Sequence, residues 1–420
     1  MLVRREFLGA AAAAVAGSAS AAGSHPAADR LVVGIMGTGG RGMDHARNFS
    51  KIKGVEVGYV CDADMNRAQS AADALLKIGA PKPKVVQDFR RILDDREVDV
   101  LIVATCNHWH APAAILGCTA GKHVYVEKPC SHNPREGELL VEAASKNKRQ
   151  VQMGNQRRSW PKVREAIEFV RGGGIGNAYF AKCWYANGRG SIGKGQAKPV
   201  PAGLDYALWE GPAPHREYRD NTLHYNWHWF WHWGNGELGN NGVHMIDVCR
   251  WGLGVDACAE VSSTGGRFRW QDDQETPDTN LVSYVFPGGK QIAWEGLSCS
   301  QMPENRASDV VFVGDKGSLS IKGGGYVVYD PKGKQIKKVE GKGADAEHVG
   351  NFIEAIRSGE SLNSPITEGH VSTLLCHLGN IAYRVKRTLK CDPKSGAIHG
   401  DSEAMTHWSR EYAKGWEPKV

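Results

Sequence analysis

Three glycines near the start of the chain have a spacing that suits a phosphate group. Gly37, Gly39 and Gly42 follow the first strand-like run and precede a helix-like stretch. In this arrangement the first glycine permits a tight turn, and the second lets the backbone approach a pyrophosphate. The third lets the helix pack closely on the strand. The turn therefore predicts a dinucleotide-binding site, to which Gly40 and Arg41 also contribute.

An acidic residue suits the other end of the dinucleotide. Asp62 ends the second apolar run, twenty residues beyond Gly42, where a carboxylate binds the adenosine ribose hydroxyls. The same carboxylate repels a 2′-phosphate, so NAD is favoured over NADP as the cofactor. NADP stays possible, because Arg41 or Arg67 could bind a 2′-phosphate.

Polar side chains follow three further apolar runs, at residues 98–104, 123–126 and 150–153. Because the carboxyl ends of parallel strands meet at one edge of a sheet, we expect these side chains to line one crevice. All of them are expected to contact the cofactor, except Arg157, which is assigned to the substrate. They are Thr105, Asn107, Trp109 and His110 after the first run, Glu127 and Lys128 after the second, and Asn155, Gln156 and Arg157 after the third.

The alternation of strand-like and helix-like segments predicts an α/β architecture, with a Rossmann domain over residues 30–156. Its sheet should be doubly wound and parallel, because run 98–104 is uninterrupted and apolar, as in strands that are buried on both faces. A chain of 420 residues has room for a second domain, predicted over residues 157–420.

The N-terminus is predicted to be an export signal. Arg4 and Arg5 precede an uncharged, alanine-rich stretch that runs to Ala22, the pattern of the Tat route in bacteria. The stretch is too short to span a bilayer stably. We therefore expect a signal peptide at 1–22, a linker at 23–29, the Tat translocase as a partner during export, and a periplasmic or otherwise extracytoplasmic protein without stable membrane insertion.

The net charge of +6 is spread along the chain. Since no long basic run concentrates it, no nucleic-acid partner is predicted.

The chain resembles the Gfo/Idh/MocA oxidoreductase family, which includes glucose–fructose oxidoreductase and inositol dehydrogenase. The resemblance rests on the glycine turn, on segment 105–110, on Glu127-Lys128-Pro129 and on the later segment 242–247, Gly-Val-His-Met-Ile-Asp. Segments 201–206 and 209–214 resemble a subgroup that often carries Tat leaders. The resemblance implies an NAD(P)-dependent enzyme that acts on CH–OH groups of carbohydrates.

The resemblance also implies that the second domain is α+β, with an open and mostly antiparallel sheet that often mediates a homo-oligomer, here a dimer or tetramer. The residues agree with such a sheet, because several apolar runs look like strands and Pro287-Gly288-Gly289-Lys290 looks like a hairpin turn. The predicted strands are 178–186, 259–263, 281–286, 291–297, 308–313 and 318–321, and the predicted closing helices are 347–358 and 370–388.

The resemblance implies three catalytic residues. Lys128 would hydrogen bond the reacting oxygen and stabilise its developing negative charge, with a cis peptide before Pro129 aiming it into the cleft. His244 would be the general base, because an imidazole titrates near neutral pH. Asn240 replaces the aspartate of most members. Four residues before His244, it would share a helix face with the imidazole and orient it without a full charge.

This departure should leave His244 less basic than in members that carry the acid. Asp247 and Glu237 are the acidic residues that could compensate.

The expected substrate-binding residues are Arg157, Trp227, Trp229, His232 and Asp247. Four of the 13 tryptophans lie between residues 227 and 233, and aromatic faces stack on the C–H faces of sugar rings. Packing or a subunit interface explains the same pattern equally well. The spacing of His224, His228 and His232 has no acidic or thiolate partner, so no metal site is predicted.

An enzyme outside the cytoplasm meets little free NAD, so the cofactor should be tightly bound and recycled internally. One sugar could be oxidised while a second carbonyl compound is reduced. Alternatively, transient oxidation at C3 of a glycoside, elimination and re-reduction would make an NAD-dependent glycosidase. A non-catalytic sugar-binding protein is the third possibility.

Overall fold

The computed structural model describes residues 30–301 and 310–420, which form two β-sheets with helices around them. The predicted signal peptide at 1–22, the linker at 23–29 and the first two residues of the predicted strand 308–313 lie outside the described residues.

The first sheet is parallel throughout, in the order β3-β2-β1-β4-β5-β6. This order confirms the predicted doubly wound Rossmann fold, and it opens a crevice at the carboxyl ends of β1 and β4, where the winding reverses. The strands are β1 (Leu31–Met36), β2 (Val55–Cys61), β3 (Lys84–Val86), β4 (Val100–Val103), β5 (His123–Val126) and β6 (Val151–Met153). The helices are α1 (Gly40–Phe49), α2 (Met65–Lys77), α3 (Arg90–Asp94), α4 (Asn107–Thr119) and α5 (Pro134–Lys146).

The second sheet has ten strands in the order β15-β14-β13-β12-β7-β10-β9-β8-β16, with β11 paired to β7 off this path. Among the described strands of this second sheet, only β7 and β10 pair in parallel, so the predicted open, mostly antiparallel sheet is confirmed. Its strands are β7 (Ala178–Gly188), β8 (Glu260–Gly266), β9 (Thr279–Phe286), β10 (Lys290–Leu297), β11 (Cys299–Ser300), β12 (Val310–Gly314), β13 (Gly317–Lys322), β14 (Gly325–Tyr329), β15 (Gln335–Val339) and β16 (Leu389–Lys390).

The helices of the second part are α6 (Pro161–Arg171), α7 (Tyr206–Glu210), α8 (Val243–Leu253), α9 (Asp345–Ser358), α10 (Ile366–Val385) and α11 (Ser402–Met405). Of these, α9 packs on the first sheet, where Phe352 contacts the rings of Phe49 and Tyr125. Among the described residues, no helix combines the length and the apolar composition that a membrane span requires.

The hairpin between β9 and β10 shows how local sequence builds the second sheet. Gly288 and Gly289 take positive φ angles of 77° and 75°, which a side chain would disfavour. In β9, buried and more exposed residues alternate, so one face of the sheet packs against the core. On that face the hydroxyl of Tyr284 donates to the carbonyl of Leu375 in α10, at 2.9 Å.

A buried ion pair joins α8 to the segment that follows β6. Asp247 accepts from Nε and Nη2 of Arg158 at 2.9 to 3.0 Å and from the hydroxyl of Ser372 at 2.6 Å. The side chain of Asp247 is 1% exposed. The structure therefore corrects its predicted contact with the substrate: Asp247 lies in the core because its carboxylate is the partner of a buried guanidinium.

We predict that Asp247→Ala lowers the free energy of unfolding by about 3 kcal/mol, because it leaves the buried Arg158 cation with only Glu368 as a partner. The measurement is urea denaturation followed by circular dichroism. Glu56→Gln, which breaks the exposed pair with Arg30, is the control and should cost less than about 1 kcal/mol. Equal losses in the two variants would contradict a structural role for Asp247.

Candidate active site

A cavity of about 610 Å³ lies at the carboxyl edge of the first sheet. This volume is in the range of small-molecule sites, about 300–1,000 Å³. The cavity brings together most of the predicted cofactor and catalytic residues from both parts of the chain. The predicted residues that line it are Gly37, Gly39, Gly40, Arg41, Asp62, Arg67, Thr105, Asn107, Trp109, His110, Glu127, Lys128, Gln156, Trp227, Asn240 and His244.

The glycine turn has the shape that a pyrophosphate requires. Gly37 has a φ of +86°, and a Cβ there would lie 2.5 Å from the carbonyl oxygen of Ala104. A Cβ on Gly42 would lie 1.8 Å from the oxygen of Gly37, so Gly42 does not line the cavity but lets α1 pack on the turn. Gly40 faces open space and begins α1, whose N-cap residue makes no side-chain hydrogen bond to the helix. The backbone N–H groups there suit phosphate oxygens.

Asp62 stands at the end of β2 with one carboxylate oxygen held by the turn. Its Oδ2 accepts from the backbone N–H of Thr38 at 2.8 Å and from the Thr38 hydroxyl at 3.1 Å. Arg41 is paired with Glu127 and Asp345, at 2.9 and 3.1 Å, and is thus committed elsewhere. Arg67 lies against Gly39, so its guanidinium stands at the phosphate end of the cavity.

Glu127 connects the glycine-turn helix with the end of β5. Its Oε1 lies 2.9 Å from Nε of Arg41 and 2.7 Å from Nε2 of His45. Although burial opposes ionisation, the charge of Arg41, the His45 hydrogen bond and the Lys128 charge hold the pKa of Glu127 well below its usual range. The carboxylate is therefore ionised and fixes the position from which Lys128 enters the cavity.

Trp109 and His110 border the cavity, but their polar atoms contact the main chain. The indole N–H of Trp109 donates to the carbonyl of Trp209 at 3.0 Å. The His110 ring lies between the carbonyl oxygens of Pro129 and Thr105, at 2.6 and 3.0 Å. The peptide between Lys128 and Pro129 is cis, as predicted. These contacts shape the wall of the cavity.

Lys128 contacts Asn240 across the cavity. Its Nζ donates to the carbonyl oxygen of Asn240 at 2.9 Å and to its side-chain oxygen at 3.1 Å. An ammonium has three N–H groups, so one remains for a ligand. Burial lowers the pKa of Lys128, opposed by the charge of Glu127.

The expected contact of Asn240 with His244 is therefore wrong: the amide oxygen of Asn240 binds the ammonium. The reason is a π-helical turn at Leu238–Gly242, before α8, which replaces the regular helix that the spacing of four assumes.

The imidazole of His244 has no hydrogen-bond partner within the described residues, and it lines the cavity. Burial, together with the positive charges of Lys128 and Arg157, holds the pKa of His244 well below its ordinary value. The imidazole is thus neutral at neutral pH, and a ring nitrogen can accept a proton. Neither expected acid compensates, since Asp247 is paired with Arg158 and Glu237 with Arg189.

Besides Gly42 and Asp247, four predicted site residues lie outside this cavity. Asn155 is 1% exposed and lies behind its wall, and Arg157 stacks on Trp160 with the guanidinium carbon 5.3 Å from the ring centre. Trp229 is buried under Arg189, 5.0 Å from its ring, so it packs in the core. His232 lines a different cavity. The fixed spacing along the chain could not anticipate the positions of Trp229 and His232, because they follow from the turn at Asn226–Trp229.

The structure adds residues that the sequence patterns missed as ligand contacts. Trp209, Tyr225 and His228 line the cavity, and the His228 ring stacks on Trp227 with ring centres 3.6 Å apart. His224 also lines it, 3.3 Å from Asp64. The high density of aromatic residues over 224–233 was the available signal. Within the described ranges, no group of three or more His, Cys, Asp or Glu side chains could hold a metal ion.

Two family models match the chain. The model described as "Oxidoreductase family, NAD-binding Rossmann fold" matches residues 31–155. The model described as "Oxidoreductase family, C-terminal alpha/beta domain" matches residues 181–417.

Individual proteins resemble the chain over shorter stretches or at lower identity. Inositol 2-dehydrogenase of Salmonella typhimurium is 38% identical over 130 residues, which are 30% of this chain and 38% of that protein. A glycosyl hydrolase family 109 protein of Shewanella baltica is 31% identical over 176 residues, 36% of this chain and 38% of that protein. The chain thus matches little more than a third of the length of these relatives.

A solved structure, the aldose–aldose oxidoreductase of Caulobacter crescentus complexed with glycerol, is 19% identical to the chain. It superimposes with a TM-score of 0.65 over 86% of this chain and 99% of that one, and so supports the fold. Because the two family models together match most of the chain, this protein belongs to the Gfo/Idh/MocA oxidoreductase family.

Proposed function

We propose that this protein is an exported enzyme that oxidises a secondary hydroxyl of a sugar, glycoside or polyol with a tightly bound, internally recycled NAD. The observation that carries the proposal is one shared cavity. Lys128 and His244 line the same cavity as the glycine turn and Asp62, so a proton acceptor and a cation lie beside a dinucleotide cradle.

The residues present fit NAD. The turn at Gly37–Gly42 would hold the pyrophosphate, and Asp62 would accept from the adenosine ribose hydroxyls. NAD is favoured over NADP, because the Asp62 carboxylate repels a 2′-phosphate and Arg41 is held by two carboxylates. The bound dinucleotide would supply the acceptor for the two electrons that leave the alcohol carbon.

The reaction needs a base for the hydroxyl proton and a cation for the oxygen. Neutral His244 would take the proton on a ring nitrogen. The third N–H of Lys128 would donate to the reacting oxygen and stabilise its negative charge as the proton leaves. The buried walls around both groups would keep water away and so strengthen these interactions.

The substrate class follows from the walls and from the relatives. Trp227 and His228 offer an aromatic face and a polar ring, which suit the C–H face and the hydroxyls of a sugar. The similar inositol 2-dehydrogenase and aldose–aldose oxidoreductase are named for polyol and sugar substrates. Both names support a carbohydrate as the substrate of this chain.

Export supports the tight cofactor. The Arg4-Arg5 leader is the pattern of the Tat route, by which a protein folds and loads its cofactor before it crosses the membrane. A periplasmic enzyme would then regenerate NAD by reducing a second carbonyl compound in the same cavity.

We also propose a homo-oligomer formed through the second sheet. Its open face carries Leu281 and Val285, which are 50% and 38% exposed. Trp184 lies two strands away, with Glu295 of β10 between it and Leu281. Burial of such a patch would favour a dimer or tetramer.

A second candidate function is an NAD-dependent glycoside hydrolase. The similarity to a glycosyl hydrolase family 109 protein favours it. The same two groups would serve it, because oxidation of a secondary hydroxyl comes first in both reactions. A non-catalytic sugar-binding protein is the third candidate, and the presence of both Lys128 and His244 in the cavity argues against it.

The test is product analysis by mass spectrometry on a panel of aldoses and polyols, alone and in pairs, and on aryl glycosides. We expect oxidation of one sugar only when a second is supplied, and a kcat at least about 100-fold lower in His244→Ala. The exposed His399→Ala is the matched control and should match the wild type. Release of free sugar from an aryl glycoside without an acceptor would establish the hydrolase. Equal turnover in the wild type and in His244→Ala would rule out the role of His244 as base.

The pH profile tests the two charge states. kcat/KM should fall in acid only well below pH 6.5, where His244 gains a proton. It should fall in alkali below pH 10.5, where buried Lys128 loses one. Asn240→Asp places a carboxylate beside Nζ, so the alkaline limb should move to higher pH, and by more than the acid limb. A shift of the acid limb alone would contradict the Lys128–Asn240 contact.

Cofactor retention tests the dinucleotide site. Heat denaturation of purified protein without added nucleotide should release close to one equivalent of NAD per chain, measured by mass spectrometry. Asp62→Ala should weaken NAD binding by about tenfold or more, because it removes hydrogen bonds between a charged group and the ribose. The exposed Asp73→Ala is the control. A protein that neither retains nor binds a nucleotide would contradict the enzymatic proposal.

A further inference from the structure

A second cavity, of about 460 Å³, lies apart from the proposed active site. It is lined by His132 after β5, by Trp231 and His232 of the aromatic loop (residues 224–233), by the C-terminal half of α10 and by the segment 407–411. Among the described residues, none lines both cavities. The volume lies within the usual range for small-molecule sites.

Two arginines of this cavity have no carboxylate partner among the described residues. The guanidinium of Arg384 lies over the indole of Trp231, 5.2 Å from its centre. Nη1 of Arg410 donates to Nδ1 of His132 at 3.3 Å and to the carbonyl of His232 at 3.0 Å. Burial lowers the pKa of both guanidiniums, so both cations are partly desolvated. A desolvated cation without a counter-ion favours an anionic ligand.

The nearby acids offset this positive charge only in part. Arg216 also lines the cavity, and its guanidinium is 3.5 Å from Glu275. Glu411 is the carboxylate of the lining. Glu136 lies beneath the cavity, and burial raises its pKa to about 7, so much of it is neutral at neutral pH. Three guanidiniums thus face two full carboxylates and one partly protonated one.

The other groups in the lining suit hydroxyls. Burial lowers the pKa of His232 to about 4 and that of His377 to about 3, so both rings are neutral. Nε2 of His232 donates to the carbonyl of Pro214 at 2.8 Å, and Nε2 of His377 bonds to the hydroxyl of Ser131 at 3.1 Å, so Nδ1 of each ring is left for a ligand. The Asn380 amide lies beside them. A ligand with one anionic group and several hydroxyls would match this set.

We propose that the second cavity binds a sugar carboxylate, with its acid group at Arg384 and Arg410 and its hydroxyls at the neutral histidines. The proposal does not rest on the redox function, because the two cavities share no lining residue within the described ranges. A carboxylate suits two guanidiniums, since their planar N–H groups match its oxygens.

The test is isothermal titration calorimetry of the protein without its predicted signal peptide, titrated with glucuronate and, in parallel, with glucose, acetate and inorganic phosphate. Glucuronate should bind, and glucose and acetate should bind at least about tenfold more weakly, since each lacks one of the two recognised features. Arg384→Gln and Arg410→Gln should each weaken glucuronate binding about tenfold or more. The matched control is Arg387→Gln, because Arg387 follows the same helix and pairs with Asp401 at the surface, at 2.7 Å.

Thermal unfolding of each variant checks that it is folded, and the two cavity variants serve as independent replicates. Three results would overturn the proposal: no glucuronate binding, equal weakening in Arg387→Gln, or equal binding of acetate or phosphate. NAD retention, measured on the same samples, reports separately on the first cavity, so failure at one site is distinguishable from failure at the other.

Discussion

The buried carboxylate of Glu127 is the interaction on which the first cavity depends. It binds Arg41 and His45 of α1 and also accepts from the backbone N–H of Lys128, so it fixes the glycine-turn helix to the end of β5. Gly154, after β6, lies so close that a Cβ there would be 2.8 Å from the carboxylate. Removing one partner of such a buried network is costly, because the remaining charges lose their solvation without compensation. This structural ion pair therefore fixes the backbone from which the Lys128 side chain enters the cavity.

The charges near the proposed reacting oxygen follow from this arrangement. Asn240 binds Lys128 with neutral oxygens, which orient the ammonium but leave its charge uncompensated on that side. An uncompensated cation stabilises a developing negative oxygen more strongly than one already paired with a carboxylate. Burial and, after it, the same cation lower the pKa of His244 and keep the imidazole neutral. In the proposed reaction, the Lys128 charge would therefore help to keep the proton acceptor neutral and would also stabilise the oxygen that loses the proton.

Much of the first domain could be predicted from sequence, because its signals are local. The glycine turn, the wholly apolar strand β4 and the polar residues after each strand are readable along the chain, and the parallel sheet brings them to one edge. Contacts between distant segments could not be read in this way. Asp247 lies three residues after His244, yet its partner Arg158 is 89 residues away and takes it into the core. The spacing predicts His244 as the partner of Asn240, but the π-turn at Leu238–Gly242 places Asn240 against Lys128 instead.

The aromatic loop is the clearest case in which spacing misleads and geometry decides. An extended strand would place Trp227, Trp229 and Trp231 on one face. Instead a short 3₁₀ turn at Asn226–Trp229 separates them: Trp227 lines the first cavity, Trp229 is buried, and Trp231 lines the second. The buried middle residue fixes the loop, and the loop then presents an aromatic ring to each cavity. A segment whose spacing suggests one sugar platform thus forms parts of two separate walls, and each wall takes its charged residues from other segments.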